Sequence, residues 1–197
     1  MKNIDVITQR IKDSIEAKEM ILRADSLLND ISRLADEIVG CLQKGGKLVI
    51  CGNGGSASDA LHFASEIVGR LERERKSWPA IVLNSNVSTM TAISNDYGYE
   101  EVFARQVEGL LKSEDLFIGI STSGNSENVY RALLKSKEIG ARTACLAGYD
   151  GGKVGKVADI SVVIPSHVTA RVQECHINII HILCEIVETR LSESEAS

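Results

Sequence analysis

The sequence contains little proline, few aromatic residues and no long apolar run. Only two prolines and 4% aromatic side chains occur among its 197 residues. No apolar stretch approaches the roughly 20 residues that a membrane helix needs, and the N-terminus has no apolar core of the signal-peptide type. No Gly/Ser-rich or charge-block segment divides the chain. We therefore expect one domain in the cytoplasm, without a membrane partner.

An excess of positive charge is also absent. The chain has 22 Lys and Arg against 27 Asp and Glu, a net charge of −5. A nucleic-acid-binding protein normally presents a basic face, so this balance argues against a nucleic-acid partner. The densest charge run, RLERERK at residues 70–76, mixes both signs and predicts a solvated helix end.

Cysteines with metal-binding or redox spacing are lacking too. The five cysteines are an odd number, and none of them forms a CxxC pair. Cys51 and Cys145 lie in apolar strand-like runs, and Cys175 and Cys184 lie in a helical pattern. We expect reduced, buried thiols.

The chain does contain an alternation of short apolar runs and helical patterns. Residues 3–40 repeat isoleucine and leucine at helical spacing, with a break near Asp25-Ser26. The later apolar runs lack polar alternation, which is typical of parallel strands covered on both faces. The predicted strands are 48–51, 80–83, 116–120, 143–147 and 160–164, and the predicted helices after the first strand are about 56–73, 87–94, 99–112, 126–139 and 168–192.

Strand–helix alternation of this kind predicts an α/β fold built from right-handed βαβ units. We expect a three-layer αβα sandwich with a five-stranded, mainly parallel sheet and an N-terminal helical extension. The single domain would span residues 1–197, with the N-terminal helices in 1–40 and the α/β core in 41–197.

Two similar loops lie where a predicted strand passes into a helix. Residues 51–56 (CGNGGS) follow the first strand, and residues 121–126 (STSGNS) follow the third. Glycines let a ligand approach the backbone, the helix N-terminus attracts an anion, and the hydroxyls can donate to phosphate oxygens. Ligands of open α/β sheets bind at these carboxyl ends of strands. The two loops together predict a phosphate site.

Nucleotide binding is the alternative use of such loops. The P-loop pattern G-x-x-x-x-G-K-[ST] is absent. Gly52, Gly54 and Ala57 fit the relaxed dinucleotide pattern G-x-G-x-x-A, but the second strand ends in Asn84 and Ser85, with no acidic residue for a ribose hydroxyl. This disfavours a dinucleotide.

Polar side chains on two predicted helices add chemistry to the phosphate site. His62 and Glu66 are four residues apart and share a helix face, while Gln173 and His181 are two turns apart on the last helix. Taken alone, His62, His176 or His181 has a plain alternative as a packed histidine. Glu66 interrupts an apolar helix face, and a buried carboxylate needs a partner.

The sequence resembles the sugar isomerase (SIS) family of phosphosugar-binding domains from about residue 30 to 190. Within that family it is most similar to the branch that isomerises sedoheptulose 7-phosphate. The resemblance rests on five segments: CGNGGSASDALHFASEIVGR, NDYGYEEVFARQVE, GISTSGNSENV, GYDGGK and ARVQECHINIIHIL.

The resemblance implies the flavodoxin-like SIS fold and an aldose–ketose isomerase. The implied product is D-glycero-D-manno-heptose 7-phosphate, made in the first step towards nucleotide-activated heptose for surface glycans such as lipopolysaccharide. It also implies a homotetramer with active sites between subunits.

The resemblance implies roles for single residues as well. The reaction moves a proton between C1 and C2 through a cis-enediol and needs a base and an acid; these are Glu66 and His181. The same resemblance implies one Zn²⁺ per subunit, bound by His62, Glu66, Gln173 and His181. The two roles of Glu66 compete, because a zinc-bound carboxylate is a weaker base. The implied substrate contacts are Asn53, Gly54, Gly55, Ser56, Arg70, Asn95, Asp96, Ser121, Thr122, Ser123, Ser126 and Gln173.

Some positions depart from the family pattern or have a second interpretation. Ala57 and Ala170 stand where some members carry His and Asp, which weakens the transfer of sugar-hydroxyl contacts but not of the proton-transfer pair. Asn95-Asp96 has a plain alternative as a helix cap or turn. Lys153 and Lys156 either attract an anionic substrate or belong to a solvated loop.

Two other functions use the same loops. One is a non-catalytic SIS phosphosugar binder that acts through a protein partner, of the type that associates with a replication initiator. That branch loses the helix carboxylate and the last-helix histidine, which are present here as Glu66 and His181. The other is an SIS regulator or deaminase-type domain that senses hexose phosphates. Such a domain usually comes with DNA-binding or amidotransferase segments, for which we expect no room in a chain of 197 residues.

Overall fold

A parallel five-stranded sheet forms the centre of the protein. The computed structural model describes residues 2–195, so residues 1, 196 and 197 of the predicted domain lie outside the described residues. The strands are β1 (Leu48–Gly52), β2 (Ala80–Val82), β3 (Leu116–Ser121), β4 (Arg142–Gly148) and β5 (Ile160–Ile164). Their order is β2-β1-β3-β4-β5, and every neighbouring pair is parallel. The predicted five-stranded sheet is confirmed.

Helices cover both faces of this sheet. On one face lie α2 (Asp25–Gln43), α3 (Gly55–Val68) and α8 (Thr169–Glu195), with α1 (Asn3–Leu22) packed outside against α8 and α2. On the other face lie α4 (Val87–Tyr97), a 3₁₀ turn (Tyr99–Glu101), α5 (Ala104–Leu110), α6 (Glu127–Ile139) and α7 (Gly152–Val157). The predicted αβα sandwich is therefore confirmed.

The apolar strands supply both cores at once. Along β1, Leu48 and Ile50 belong to the core under α2, α3 and α8, whereas Val49 and Cys51 belong to the opposite core. Successive side chains of a strand point to opposite faces, so a strand that is covered twice must be apolar at every position. This is the physical reason why these runs lack polar alternation.

The predicted helix over 56–73 is confirmed as far as residue 68 and is wrong over its last five residues, 69–73. α3 ends at Val68, and residues 69–79, which we call the strap, run irregularly to β2. The expectation that 70–76 forms a solvated helix end is wrong as well, because the side chain of Arg75 is only 2% exposed and pairs with Glu188. The sequence of a mixed charge run does not show which of its charged residues is buried, because a buried arginine such as Arg75 looks the same there as its solvated neighbours.

Two smaller differences concern the segments near the second loop. The GYDGGK segment leads into α7, a six-residue helix that the sequence analysis did not predict. The predicted helix over 99–112 is divided into the 3₁₀ turn and α5. All five cysteines are buried and free, as expected. Within residues 2–195, no helix is long and apolar enough to cross a membrane.

Candidate active site

The two Gly- and Ser-rich loops lie side by side at the carboxyl edge of the sheet. β1 and β3 are neighbours, with Gly52 in register with Ile120. From β1 the chain continues to β2 on one side, and from β3 it continues to β4 on the other. Such a reversal opens a crevice in which α/β proteins bind ligands. The first loop (51–56) and the second loop (121–126) form its two walls.

A pair of asparagines joins the two walls. Asn53 Nδ2 donates to Asn128 Oδ1 over 2.8 Å, and Asn128 Nδ2 donates to Asn53 Oδ1 over 3.0 Å. The Tyr99 hydroxyl donates to the same Asn53 oxygen over 2.9 Å. These bonds fix the first loop against the start of α6.

Glycine is required in the first loop for two separate reasons. Gly54 has φ of +56°, a left-handed conformation that L side chains rarely adopt. Gly55 begins α3, and a Cβ atom there would overlap the amide of Gln173 on α8. The absence of a side chain at Gly55 therefore lets Gln173 reach the first loop. Ser56, the last residue of this loop, is buried.

Hydroxyl groups line the second loop. Ser121 and Ser126 share a hydrogen bond of 2.9 Å between their Oγ atoms. Ser123 Oγ accepts from the backbone N–H of Asn125 over 3.1 Å, and Thr122 is half-buried beside it. The loop leads directly into α6, so the hydroxyls lie next to the N-terminus of a thirteen-residue helix. This arrangement suits a phosphate.

The backbone of the α7 segment supports the second loop from behind. Gly124 has φ of +64°, and its carbonyl oxygen accepts from Val154 N over 2.9 Å. A Cβ at Gly124 would overlap the backbone of Gly151. Lys153 is bonded to Glu127 and lies 4.8 Å from the ring centroid of Tyr130, so it belongs to this support rather than to a solvated loop.

Three polar side chains meet where α3 packs against α8. His62 Nε2 lies 3.1 Å from Glu66 Oε1 and 3.0 Å from His181 Nε2. One ligand atom from each of the three residues lies within 4.8 Å of the other two. The side chains of His62 and Glu66 are 44% and 19% exposed, so the group is open to a ligand from one side. We call His62, Glu66 and His181 the helix cluster.

The donor set of the helix cluster fits a zinc ion. Two imidazole nitrogens and one carboxylate oxygen converge, and three protein ligands with an open side are typical of catalytic zinc. Gln173, the fourth implied ligand, lines a cavity of about 390 Å³ together with His62.

One polar residue of this cavity was missed by the sequence analysis. Asp59 lies one turn before His62 on α3, and within the described residues its Oδ2 atom is buried without a hydrogen-bond partner. Burial raises the pKa of Asp59 to about 6, although the nearby His62 acts in the opposite direction. Its spacing of three from His62, on the same helix face, was the available signal.

Three implied substrate contacts lie outside the helix cluster. Arg70 is exposed on the strap, where it contacts Glu72 and Glu74. Asn95 donates to Asp96 over 2.9 Å in the exposed last turn of α4. Within residues 2–195, none of the three implied residues, Arg70, Asn95 and Asp96, forms a hydrogen bond to the helix cluster. Their binding roles stay predictions.

The fold and the paired loops define an α/β protein of the phosphosugar-binding class. The SIS domain family model matches residues 12–148, well over half of the chain. The chain therefore belongs to the SIS domain family.

Its similar relatives carry one name. The chain is 51% identical to the phosphoheptose isomerase of Helicobacter pylori strain P12, with 90% of this chain and 93% of that one covered. It is 47% identical to the phosphoheptose isomerase of Clostridium acetobutylicum, with 97% and 96% covered.

Solved structures agree with these relatives. The phosphoheptose isomerase GmhA from Neisseria gonorrhoeae is 37% identical, with a TM-score of 0.90 and 95% of this chain and 100% of that one covered. A phosphoheptose isomerase from Francisella tularensis is 37% identical, with a TM-score of 0.92 and 96% and 100% covered. The expected SIS fold is confirmed.

Proposed function

We propose that the protein is a phosphoheptose isomerase that converts sedoheptulose 7-phosphate to D-glycero-D-manno-heptose 7-phosphate. The observation that carries this proposal is the meeting of His62, Glu66 and His181 on α3 and α8, because the same two helices bring Gln173 against Gly55 of the first phosphate-type loop. The names of the similar relatives support the same substrate. The product would enter nucleotide-activated heptose synthesis for surface glycans such as lipopolysaccharide.

The second loop is the proposed phosphate site. Hydroxyls of Ser121, Thr122, Ser123 and Ser126 would donate to the phosphate oxygens, and the N-terminus of α6 would stabilise the charge. The first loop and Gln173 would then hold the sugar between the phosphate and the helix cluster, because Gln173 lies against Gly55.

The two residues proposed to transfer protons lie on α3 and α8. Glu66 removes the proton from C1 of the ketose, while His181 donates a proton to the carbonyl oxygen on C2. The electron pair of the broken C–H bond forms the C1–C2 double bond of the enediol. His181 then takes the proton of the C1 hydroxyl, and Glu66 returns its proton to C2, which leaves an aldehyde at C1.

Glu66→Gln tests the proposed base. Turnover of sedoheptulose 7-phosphate should fall at least about a hundredfold, since a neutral amide cannot accept the proton, while binding of the sugar phosphate persists. Glu185→Gln, an equal charge change at an exposed position of α8, is the control and should keep wild-type turnover. Binding without turnover in the wild-type protein would instead support the non-catalytic SIS binder, and unchanged turnover in Glu66→Gln would remove this residue as the base.

We further propose one Zn²⁺ per subunit, held by His62, Glu66, Gln173 and His181. The bound ion would polarise the substrate oxygens and stabilise negative charge on the enediol. Metal analysis of the purified protein should give about one zinc per chain. Removal of the metal by a chelator should abolish turnover, and added Zn²⁺ should restore it. Full turnover in metal-free protein would contradict a role for zinc in the reaction.

A homotetramer is the assembly that we propose. α1 buries only Ala17 and Ile21 within its own chain, and four of its isoleucines, Ile4, Ile7, Ile11 and Ile15, form an exposed row. An apolar surface of this kind suits a second copy of the chain. Five free, buried thiols also suit the reducing cytoplasm that we propose as its location.

A further inference from the structure

A buried ion pair joins the strap to α8 beyond the helix cluster. The carboxylate of Glu188 is 3% exposed and accepts from Arg75 Nε over 3.0 Å. It also accepts from the backbone N–H groups of Leu71, Glu72 and Arg73, at 3.0, 2.8 and 2.9 Å. Burial raises the pKa of Glu188, but the three backbone donors and Arg75 outweigh it and lower the pKa. The carboxylate therefore stays ionised.

The other half of the pair holds the end of α3. Arg75 Nη2 donates to the carbonyl oxygen of Glu66 over 2.7 Å. Its Nη1 lies 3.1 Å from the carbonyl oxygen of Ile67 and 3.2 Å from that of Gly69. Carbonyls of the last helical turn lack partners within the helix, and a cation is favourable there. The guanidinium also packs on Trp78, 3.7 Å from the ring centroid.

This pair connects the two residues of the proposed proton transfer. Arg75 bonds the backbone of Glu66 itself, and Glu188 follows His181 by seven residues, two turns along the same face of α8. α3 and α8 are thus tied at two levels: by the contact between His62 and His181, and two turns further by Arg75 and Glu188.

The stability of the fold alone does not require a buried ion pair between the strap and α8. Buried ion pairs can often be replaced by apolar residues at little cost in stability, because desolvation offsets the attraction between the charges. Arg75 and Glu188, however, use directional bonds to seven backbone groups of the strap and α3. Such bonds fix a geometry more narrowly than apolar contact does.

We propose that Arg75 and Glu188 form a clamp that sets the register of α3 against α8 and so positions Glu66 and His181 for proton transfer. This inference rests on the proposed isomerase function. Both are positioning residues, because the contacts that carry the argument are with the backbone and with each other.

Glu188→Gln is the main test, because it keeps the shape and an acceptor oxygen while it removes the charge. Arg75→Lys is the second variant, since lysine keeps the ion pair but lacks the planar fork that reaches several carbonyls. The matched control is Asp36→Asn, which breaks the exposed pair with Arg190 and so loosens α8 from α2 without touching α3.

Two readouts separate positioning from stability, both taken well below the unfolding temperature. The first is the split between kcat and KM for sedoheptulose 7-phosphate. Misplaced proton-transfer groups should lower kcat about tenfold or more and leave KM within about twofold. The second is the ¹⁵N imidazole resonances of His62 and His181 in metal-free protein, which should shift when the Nε2–Nε2 contact is lost. Asp36→Asn should change neither readout.

The outcomes distinguish this inference from the proposed function. A lower kcat with shifted imidazole resonances in both Glu188→Gln and Arg75→Lys supports the clamp. An unchanged kcat, or unchanged resonances, in a folded variant overturns it, even if the melting temperature falls. If the wild-type protein shows no turnover, the proposed isomerase function fails, and the resonances alone decide whether the pair sets the helix register.

Discussion

His176 is a buried histidine that holds α8 against the sheet. Its Nε2 atom lies 3.0 Å from the carbonyl oxygen of Ala147 at the end of β4. Burial lowers the pKa of His176 to about 4, although this backbone bond acts in the opposite direction. The imidazole is therefore neutral at pH 7 and donates its Nε2 proton to the carbonyl.

We expect His176 to make the fold sensitive to mild acid. The imidazole of His176 becomes protonated near pH 6.5 in the unfolded chain but only near pH 4 in the folded chain. The stability that depends on the neutral imidazole is therefore present above pH 6.5 and declines as the pH falls towards 4. From pH 7 to 5 the loss is about 2 kcal/mol. In urea unfolding, the difference in free energy between the wild type and His176→Gln should narrow by this amount. A constant difference would contradict the assignment.

The two histidines of α8 also show what single residues reveal in a sequence. His176 and His181 both interrupt the same apolar helix, and a packed role was open for either. The two histidines differ in the group that each one contacts. His176 contacts the end of β4, whereas His181 contacts His62. The one-turn spacing of His62 and Glu66 is local and was predictable. Their meeting with His181 depends on how two distant helices pack, which no local pattern encodes.

At the scale of elements, the second loop and the α7 segment act as one unit. Gly124, Gly151 and Gly152 all have positive φ. A side chain on Gly124 would overlap the backbone of Gly151, and a side chain on Gly152 would overlap the backbone of Gly124. The shape of the second loop, the proposed phosphate site, is therefore set by a segment about 25 residues further along the chain.

Gly124→Ala should damage phosphate binding in particular. The added methyl group would overlap the carbonyl of Gly151 and would strain a left-handed backbone, so the second loop must shift. We expect KM for the sugar phosphate to rise roughly tenfold or more, with a smaller effect on kcat. Gly109→Ala, in α5 with open space at its Cβ position, is the control and should leave KM unchanged. An unchanged KM in Gly124→Ala would show that the loop tolerates a different shape.

The elements differ in how far the sequence predicts them. Strands with continuous apolar runs and helices with a clear apolar period were predicted close to their places. α7 was missed because six residues with two glycines show no period. The helix predicted in the first part of the strap is wrong, because the charges there resemble a solvated helix face. The path of the strap depends instead on the long-range ion pair between Arg75 and Glu188.

At the scale of the whole molecule, α1 presents an exposed apolar surface. Ile4, Ile7, Ile11 and Ile15 recur at spacings of three or four, and each is at least half exposed. Ala17 and Ile21, which pack on the rest of the chain, are the buried residues of this helix. A second copy of the chain is the occupant proposed above.

Ile7→Gln combined with Ile11→Gln should weaken assembly. Two buried isoleucines contribute about 1.5–3 kcal/mol each to an interface, so the sedimentation coefficient should fall towards that of a smaller species at micromolar concentration. Lys12→Gln, on the exposed polar side of α1, should leave it unchanged. A wild-type protein that sediments as a single chain would refute the proposed tetramer.

The proposed base and the proposed acid come from two distant parts of this chain. The segment that matches the SIS model, residues 12–148, contains both proposed phosphate loops and Glu66. Gln173, His181 and Glu188 all stand on α8, beyond that segment. One terminal helix therefore brings together the proposed acid, the amide and one half of the proposed clamp. Redesign of α8 alone would offer a route from an isomerase to a sensor that binds the same sugar phosphate without converting it.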